Sequence, residues 1–239
     1  MKIRVLAAAL ALLALLALTL AGCKKDPEPE PEPAPEDEGP TLYASGAVEG
    51  SALTWEFYDD GTLYIKGTGA MDEDYITKVE RGTNEQPWGK YASKENNDDQ
   101  IAFTKAVVED GVTGLSQLAF KHCTSLREVT FGQGITAIPF DCFAGCTALT
   151  KVAAKSATVI GENAFQDCKN LTMLTVSASI AEVQWGAFSG AGTFTLSLAG
   201  TEEEWNTAKA ALTIADRETA DNANTPFITA MERPRFVQK

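Results

Sequence analysis

Ala119-Phe-Lys-His-Cys-Thr-Ser-Leu126 returns as Cys142-Phe-Ala-Gly-Cys-Thr-Ala-Leu149 and again as Ala164-Phe-Gln-Asp-Cys-Lys-Asn-Leu171. The phenylalanines Phe120, Phe143, Phe165 and Phe188 recur at steps of 23, 22 and 23 residues. Three residues after each stands Cys123, Cys146, Cys168 or Ala191, and five before each stands Leu115, Ile138, Ile160 or Val183. Helical and strand periods are far shorter than 22 residues, so the pattern marks one structural unit stacked on copies of itself.

Within the unit, Leu126-Arg-Glu-Val129-Thr-Phe131 alternates as a short strand does, and its copies place Phe103/Ala106/Val108, Leu149/Val152/Ala154 and Leu171/Leu174/Val176 inward. A turn bearing Gly111, Gly134, Ser156 or Ser179 follows, then a second inward pair such as Ile135 and Ile138, then a short helical or irregular turn carrying the Phe and Cys. A few inward apolar residues per coil cannot form a core alone, so burial requires neighbouring coils. The expected fold is α+β, mostly β: a solenoid with a parallel strand ladder.

The Ala-Phe-x-x-Cys-x-x-Leu core resembles that of BspA-type leucine-rich repeats over roughly residues 101 to 200, and Leu53 to Gly69 resembles the hairpin that often precedes such repeats. The resemblance implies a leucine-rich-repeat solenoid on the bacterial surface, adhering to host extracellular matrix or to other bacteria. Around Phe188 the pattern departs, with Ala191 for Cys and Phe194 for Leu, as a terminal unit closing the stack would. A β-rich N-terminal cap is expected at 41–100, the repeats at 101–200 and a small C-terminal cap with its tail at 201–239. Asp59-Asp-Gly61 reads as a hairpin turn. Thr201-Glu-Glu-Glu-Trp205 opens a helix to about Leu212 with Thr201 as N-cap, and residues 215 to 225 read as loop.

At the N-terminus, basic Met1-Lys-Ile-Arg4, the apolar run Val5 to Leu20 and then Leu20-Ala-Gly-Cys23 resemble a bacterial lipoprotein signal. The run is shorter than the ~20 residues that span a bilayer. Residues 1–22 are therefore expected to be removed and Cys23 lipidated, leaving a lipid anchor as the sole membrane attachment, with the body on the outer surface of the envelope. Residues 23–40 continue as a stalk in which Pro and Glu alternate; lacking apolar side chains beyond Ala34, it should stay unfolded and extended. Its charge resembles a surface-export signal of some Gram-negative lipoproteins, and a plain spacer explains it equally.

The formal charge is -13, becoming -15 without Lys2 and Arg4, and with no Lys/Arg stripe this argues against nucleic acid. After Cys23, four cysteines remain. Cys123, Cys146 and Cys168 share a repeat position also held by Ala191, which favours buried thiols, while ~4.8 Å between coils leaves a disulfide geometrically open for these or for Cys142. Without a Cys-x-x-Cys pair, and with His122 as the only histidine, no metal site or cofactor is expected. His122 reads as an exposed turn residue rather than a base. The acids at Asp59-Asp60, Asp72-Glu-Asp74 and Asn96-Asn-Asp-Asp99 lack the context of a hydrolase or a calcium loop.

The expected function is thus a binding module, probed by an extracellular protein or glycan and working as a monomer without catalysis. Its candidate contacts are Lys105, Glu128, Thr130, Lys151, Lys155, Thr175 and Ser177 between the core positions of the strands. Phe140 and Trp185 join them, because their repeat position holds Gln117 and Glu162 elsewhere and so should face water. The alternative is an enzyme or accessory subunit acting on surface polysaccharide, with Trp55, Trp88 and Trp205 stacking sugars.

Overall fold

The computed structural model of the chain describes residues 39–72, 86–93, 101–215 and 224–239. The signal segment, Cys23 and the stalk up to residue 38 lie outside the described residues, as do Asp74 and residues 96–99. The N-terminal cap is an antiparallel meander of β1 (Leu42–Ala47), β2 (Leu53–Tyr58) and β3 (Thr62–Gly67). Asp59-Asp60-Gly61 closes the β2–β3 hairpin, with Gly61 at φ +81° where a side chain would be strained. Asp59 accepts from the Thr41 amide, and Asp60 accepts from the Thr62 amide and hydroxyl, so this acid pair is engaged in shaping the turn. β3 then starts the solenoid: β5 (Lys105–Val108) pairs with it in parallel, Leu63 beside Ala106 and Ile65 beside Val108.

Between them, β4 (Gly69–Ala70) and a 3-10 turn (Gly89–Tyr91) complete the first, irregular coil. The regular coils follow as pairs of one long and one short strand: β5 with β6 (Val112–Gly114), β7 (Glu128–Phe131) with β8 (Ala137–Ile138), β9 (Lys151–Ala153) with β10 (Val159–Ile160), and β11 (Met173–Ser177) with β12 (Glu182–Val183). The last long strand, β13 (Thr195–Ala199), leads through α1 (Glu202–Lys209) to β14 (Thr213–Ile214), and then α2 (Thr225–Ala230) leads to β15 (Arg235–Val237). Long strands make one nine-stranded sheet, β1-β2-β3-β5-β7-β9-β11-β13-β15, and short strands a second, β14-β12-β10-β8. The expected α+β, mostly β leucine-rich-repeat solenoid is present, with both caps continuous with its ladder.

The third side of each coil is the segment carrying the Phe, and it is a run of turns rather than the helix the sequence allowed. Its alternate amides bond the next coil: Leu118, Phe120 and His122 donate to the carbonyls of Phe140, Cys142 and Ala144, and Asp141, Phe143 and Gly145 to those of Glu162, Ala164 and Gln166. A helix would direct those amides back along its own axis and leave the coils unjoined. Aiming them sideways requires positive φ two residues before and two after each Phe. The first position is held by Leu118, Asp141, Asn163 and Gly186, the second by His122, Gly145, Asp167 and Gly190. Asn, Asp and Gly adopt this conformation readily; Leu118, at φ 60°, does not.

The rings stack as the coils do. Phe120, Phe143, Phe165 and Phe188 are fully buried, with successive centroids 5.3, 5.4 and 5.2 Å apart and planes within 12° of parallel. The column is longer than the sequence period shows. Trp88 covers Phe120 at 5.9 Å, and Phe227 of α2 lies on Phe188 at 5.3 Å, both fully buried. The C-terminal segment is therefore a further coil, and most of the loop expected at 215–225 lies outside the described residues. Compared with Val176 to Val183, the path from Leu198 to Ile214 is nine residues longer, and compared with Val183 to Phe188, that from Ile214 to Phe227 is eight longer. Thr201 caps α1 as expected, in a reciprocal box with Glu204. Asn224, fully buried, fastens the added coil: its amide donates to the carbonyls of Gln184 and Ala215, and its Oδ1 accepts from the Phe188 amide.

Candidate ligand-binding face

On the solvent side of the nine-stranded sheet, adjacent strands align one residue per coil. Lys105, Glu128, Lys151, Met173 and Thr195 form one row, and Val107, Thr130, Ala153, Thr175 and Ser197 the next. Lys105, Glu128, Thr130 and Lys151 are exposed, as their sequence alternation requires, and Met173 joins them at 37% exposure. The three charges alternate in sign on neighbouring strands, yet among the described residues none of them forms an ion pair. Pairing exposed charges gains ~0–1 kcal/mol against the cost of ordering two long side chains, so all three remain available to a partner.

Two of the expected contacts are not on this surface. Thr175 and Ser177 are buried, at 8% and 5% exposure, in register with Ala153, Ser197 and Ala199 of the neighbouring strands, whereas Thr130 of the same row is exposed. Lys155 is exposed but stands on the turn after β9, outside the row. Phe140 is exposed at 36%, whereas Trp185 is less exposed and makes contacts of its own, so the two do not form a matched pair of surface aromatics.

The sequence reading missed the N-terminal continuation of the face. Leu53, Trp55 and Phe57 point inward, so Glu56 and Tyr58 point out, facing Tyr64 and Lys66 across the hairpin. Tyr58 and Tyr64 meet edge to face at 5.6 Å, Tyr58 Oη donates to Glu56 at 2.7 Å, and Lys66 Nζ donates to Glu56 at 2.9 Å. The Lys66 ammonium, followed by the tyrosine hydroxyl, holds the Glu56 carboxyl below its usual range, and the Glu56 bond raises Lys66 in return. The alternation of these two strands carried that information.

Elsewhere the polar and aromatic candidates have structural duties. Trp55, Trp88 and Trp205 are buried in the caps, with 5% exposure or less, and present no stacking surface for a sugar. His122 is exposed on its turn beside Gly145, where a Cβ would meet Nδ1. Cys123, Cys142, Cys146 and Cys168 are free thiols without solvent contact. Cys146 Sγ donates to the Phe120 carbonyl at 2.9 Å and Cys168 Sγ to that of Phe143 at 3.2 Å, each bonding the coil before it. Burial above all raises the thiols of Cys142, Cys146 and Cys168 well above the ordinary 9.0, helped by neighbouring thiols of the column. Among the described residues no group of three or more His, Cys, Asp or Glu could hold a metal ion, and no helix is long and apolar enough to cross a membrane.

Comparison with known proteins agrees with this architecture. The family model for BspA type leucine-rich repeat regions matches residues 97–204 in six copies. A leucine-rich repeat protein from Eubacterium ventriosum shares the fold at a TM-score of 0.55 and 20% identity, over 76% of this chain and 42% of that one. A leucine-rich cell surface protein from Faecalibacterium prausnitzii matches at 20% identity and a TM-score of 0.34, over 78% of this chain and 58% of that one. The chain thus spans under half the length of the first of these structures. No curated protein matches it.

Proposed function

Given that residues 97–204 belong to the BspA-type leucine-rich repeats, we propose that this chain is a non-catalytic binding module of the bacterial cell surface, anchored through Cys23 and presenting its strand face to an extracellular protein or glycan. The row Lys105, Glu128 and Lys151 carries the reading: three unpaired charges of alternating sign, about 4.8 Å apart from strand to strand, on a scaffold whose side chains below are fully packed. Alternating charge selects a partner by complementarity and rejects a uniformly charged polymer. Tyr58 and Tyr64 add apolar area beside that row, and Phe140 adds a separate exposed ring on the turn side.

Arrays of matrix proteins and glycans probed with residues 41–239 test the reading. Capture should fall when Lys105→Glu, Glu128→Lys and Lys151→Glu are combined, with stability changed by no more than about 0.5 kcal/mol per substitution because all three are exposed. Undiminished capture places the binding surface elsewhere, and turnover of any glycan favours the polysaccharide enzyme instead. Fatty-acid labelling that disappears in Cys23→Ser supports the anchor; label that persists removes it.

A further inference from the structure

At the C-terminal end of the same sheet, a groove of about 320 Å³ opens between β13 and α2. Phe194 and Pro226 give it apolar walls, and Thr195 and Thr229 bring hydroxyls to them. Arg233 and Arg235 also line it, Arg235 in register with Ser197 of β13. Both arginines are exposed, and among the described residues neither forms an ion pair, in a chain with 33 acids against 20 bases. The nearby carboxylate of Glu232 is exposed and takes up neither guanidinium.

We propose that this groove binds a carboxylate-bearing sugar. A guanidinium grips a carboxylate through two parallel hydrogen bonds, and two of them separated by one residue can hold both oxygens of one carboxyl group. A sugar ring has an apolar C–H face to lay against Pro226 and the edge of Phe194 that reaches the groove, the rest of that ring being buried against Phe188, and hydroxyls to exchange hydrogen bonds with Thr195 and Thr229. The volume is at the small end of the roughly 300–1,000 Å³ of ligand pockets, which suits a single sugar residue better than a peptide. An inorganic anion would use the arginines and leave the apolar walls idle. The site does not depend on what the strand face binds.

Titration of the full chain in detergent with glucuronate, glucose and inorganic phosphate, followed by NMR, tests this. Glucuronate should bind saturably and perturb Thr195 and Thr229, while glucose, which lacks the carboxylate, should not. Arg233→Ala and Arg235→Ala should each weaken glucuronate by about tenfold or more, the scale of losing a charge-assisted pair of bonds. Arg235→Lys, which keeps the charge but not the fork, should also weaken it, and it serves in place of the alanine variants if these do not fold. Lys105→Glu with Lys151→Glu should leave glucuronate binding unchanged even if it abolishes capture by the strand face. The proposal is overturned if glucuronate does not bind, if glucose or phosphate binds as well as glucuronate, or if folded arginine variants keep the parent affinity.

Discussion

Raising the pH from 9 to 10 should weaken this fold steeply, and the cause can be assigned to three thiols. Cys142, Cys146 and Cys168 are solvent-free, and their folded-state ionisation is pushed well above the ordinary 9.0. A group raised on folding stabilises fully below its unfolded value and loses that contribution as pH climbs towards the folded one. Here the unfolded chain releases the protons from about 9 upward while the native chain keeps them. Each thiol then forfeits about 1 kcal/mol between pH 9 and pH 10, and the three together about 3 kcal/mol. With ~1–3 kcal/mol per molar for urea, the denaturation midpoint should drop by about 1 M or more over that single unit. Tyr58 and Lys66 are also raised on folding, from 10.0 and 10.5, so their losses fall mostly above the chosen window. The assay is urea denaturation under reductant, compared with a chain carrying Cys142→Ala, Cys146→Ala and Cys168→Ala. Ala191 shows that alanine serves at the shared repeat position of two of them. The variant should lose most of the pH slope; parallel slopes for parent and variant would refute the assignment.

The aromatic column supplies a second expectation: Phe143→Ala and Phe188→Ala should cost alike, about 3–5 kcal/mol by denaturation, because each ring is fully buried between two others. Asn224→Ala leaves one buried and two part-buried backbone groups without their partner, so it should cost about 2–4 kcal/mol and speed hydrogen exchange in β15 before the rest of the sheet. Leu118→Asn should raise the melting temperature, since removing a left-handed leucine relieves roughly 1–2 kcal/mol, more than its half-buried side chain contributes there. A lower melting temperature would mean that the leucine's packing outweighs its backbone.

What could be read from the sequence and what could not divide along physical lines. Phe120, Phe143, Phe165 and Phe188 were legible because identical coils impose identical spacing, and the inward strand residues followed from alternation. Phe227 was hidden because its coil carries two added stretches, placing it 39 residues from Phe188. Trp88 was hidden because it fills the aromatic position with another residue at an irregular distance. Lys105, Glu128 and Lys151 could be assigned to the surface because alternation decides which way a strand residue points. Thr175 and Ser177 hold outward positions of the same alternation and are buried while Thr130 is exposed, so alternation decides a side chain's direction but not its contact with solvent. The thiols were expected to be buried; their bonds to the preceding coil depend on atomic positions that no spacing encodes.

The lengthened C-terminal coil shows where this architecture tolerates new sequence. Nine extra residues between the two sheets and eight more before the ring leave Phe227 seated 5.3 Å from Phe188, so neither seam transmits added length to the stack. Added length at either seam leaves the aromatic column undisturbed. The same tolerance gives such genes a route to diversify: duplication copies the ring and strand that must match their neighbours, and insertion at the seams alters what the surface offers without renegotiating the core.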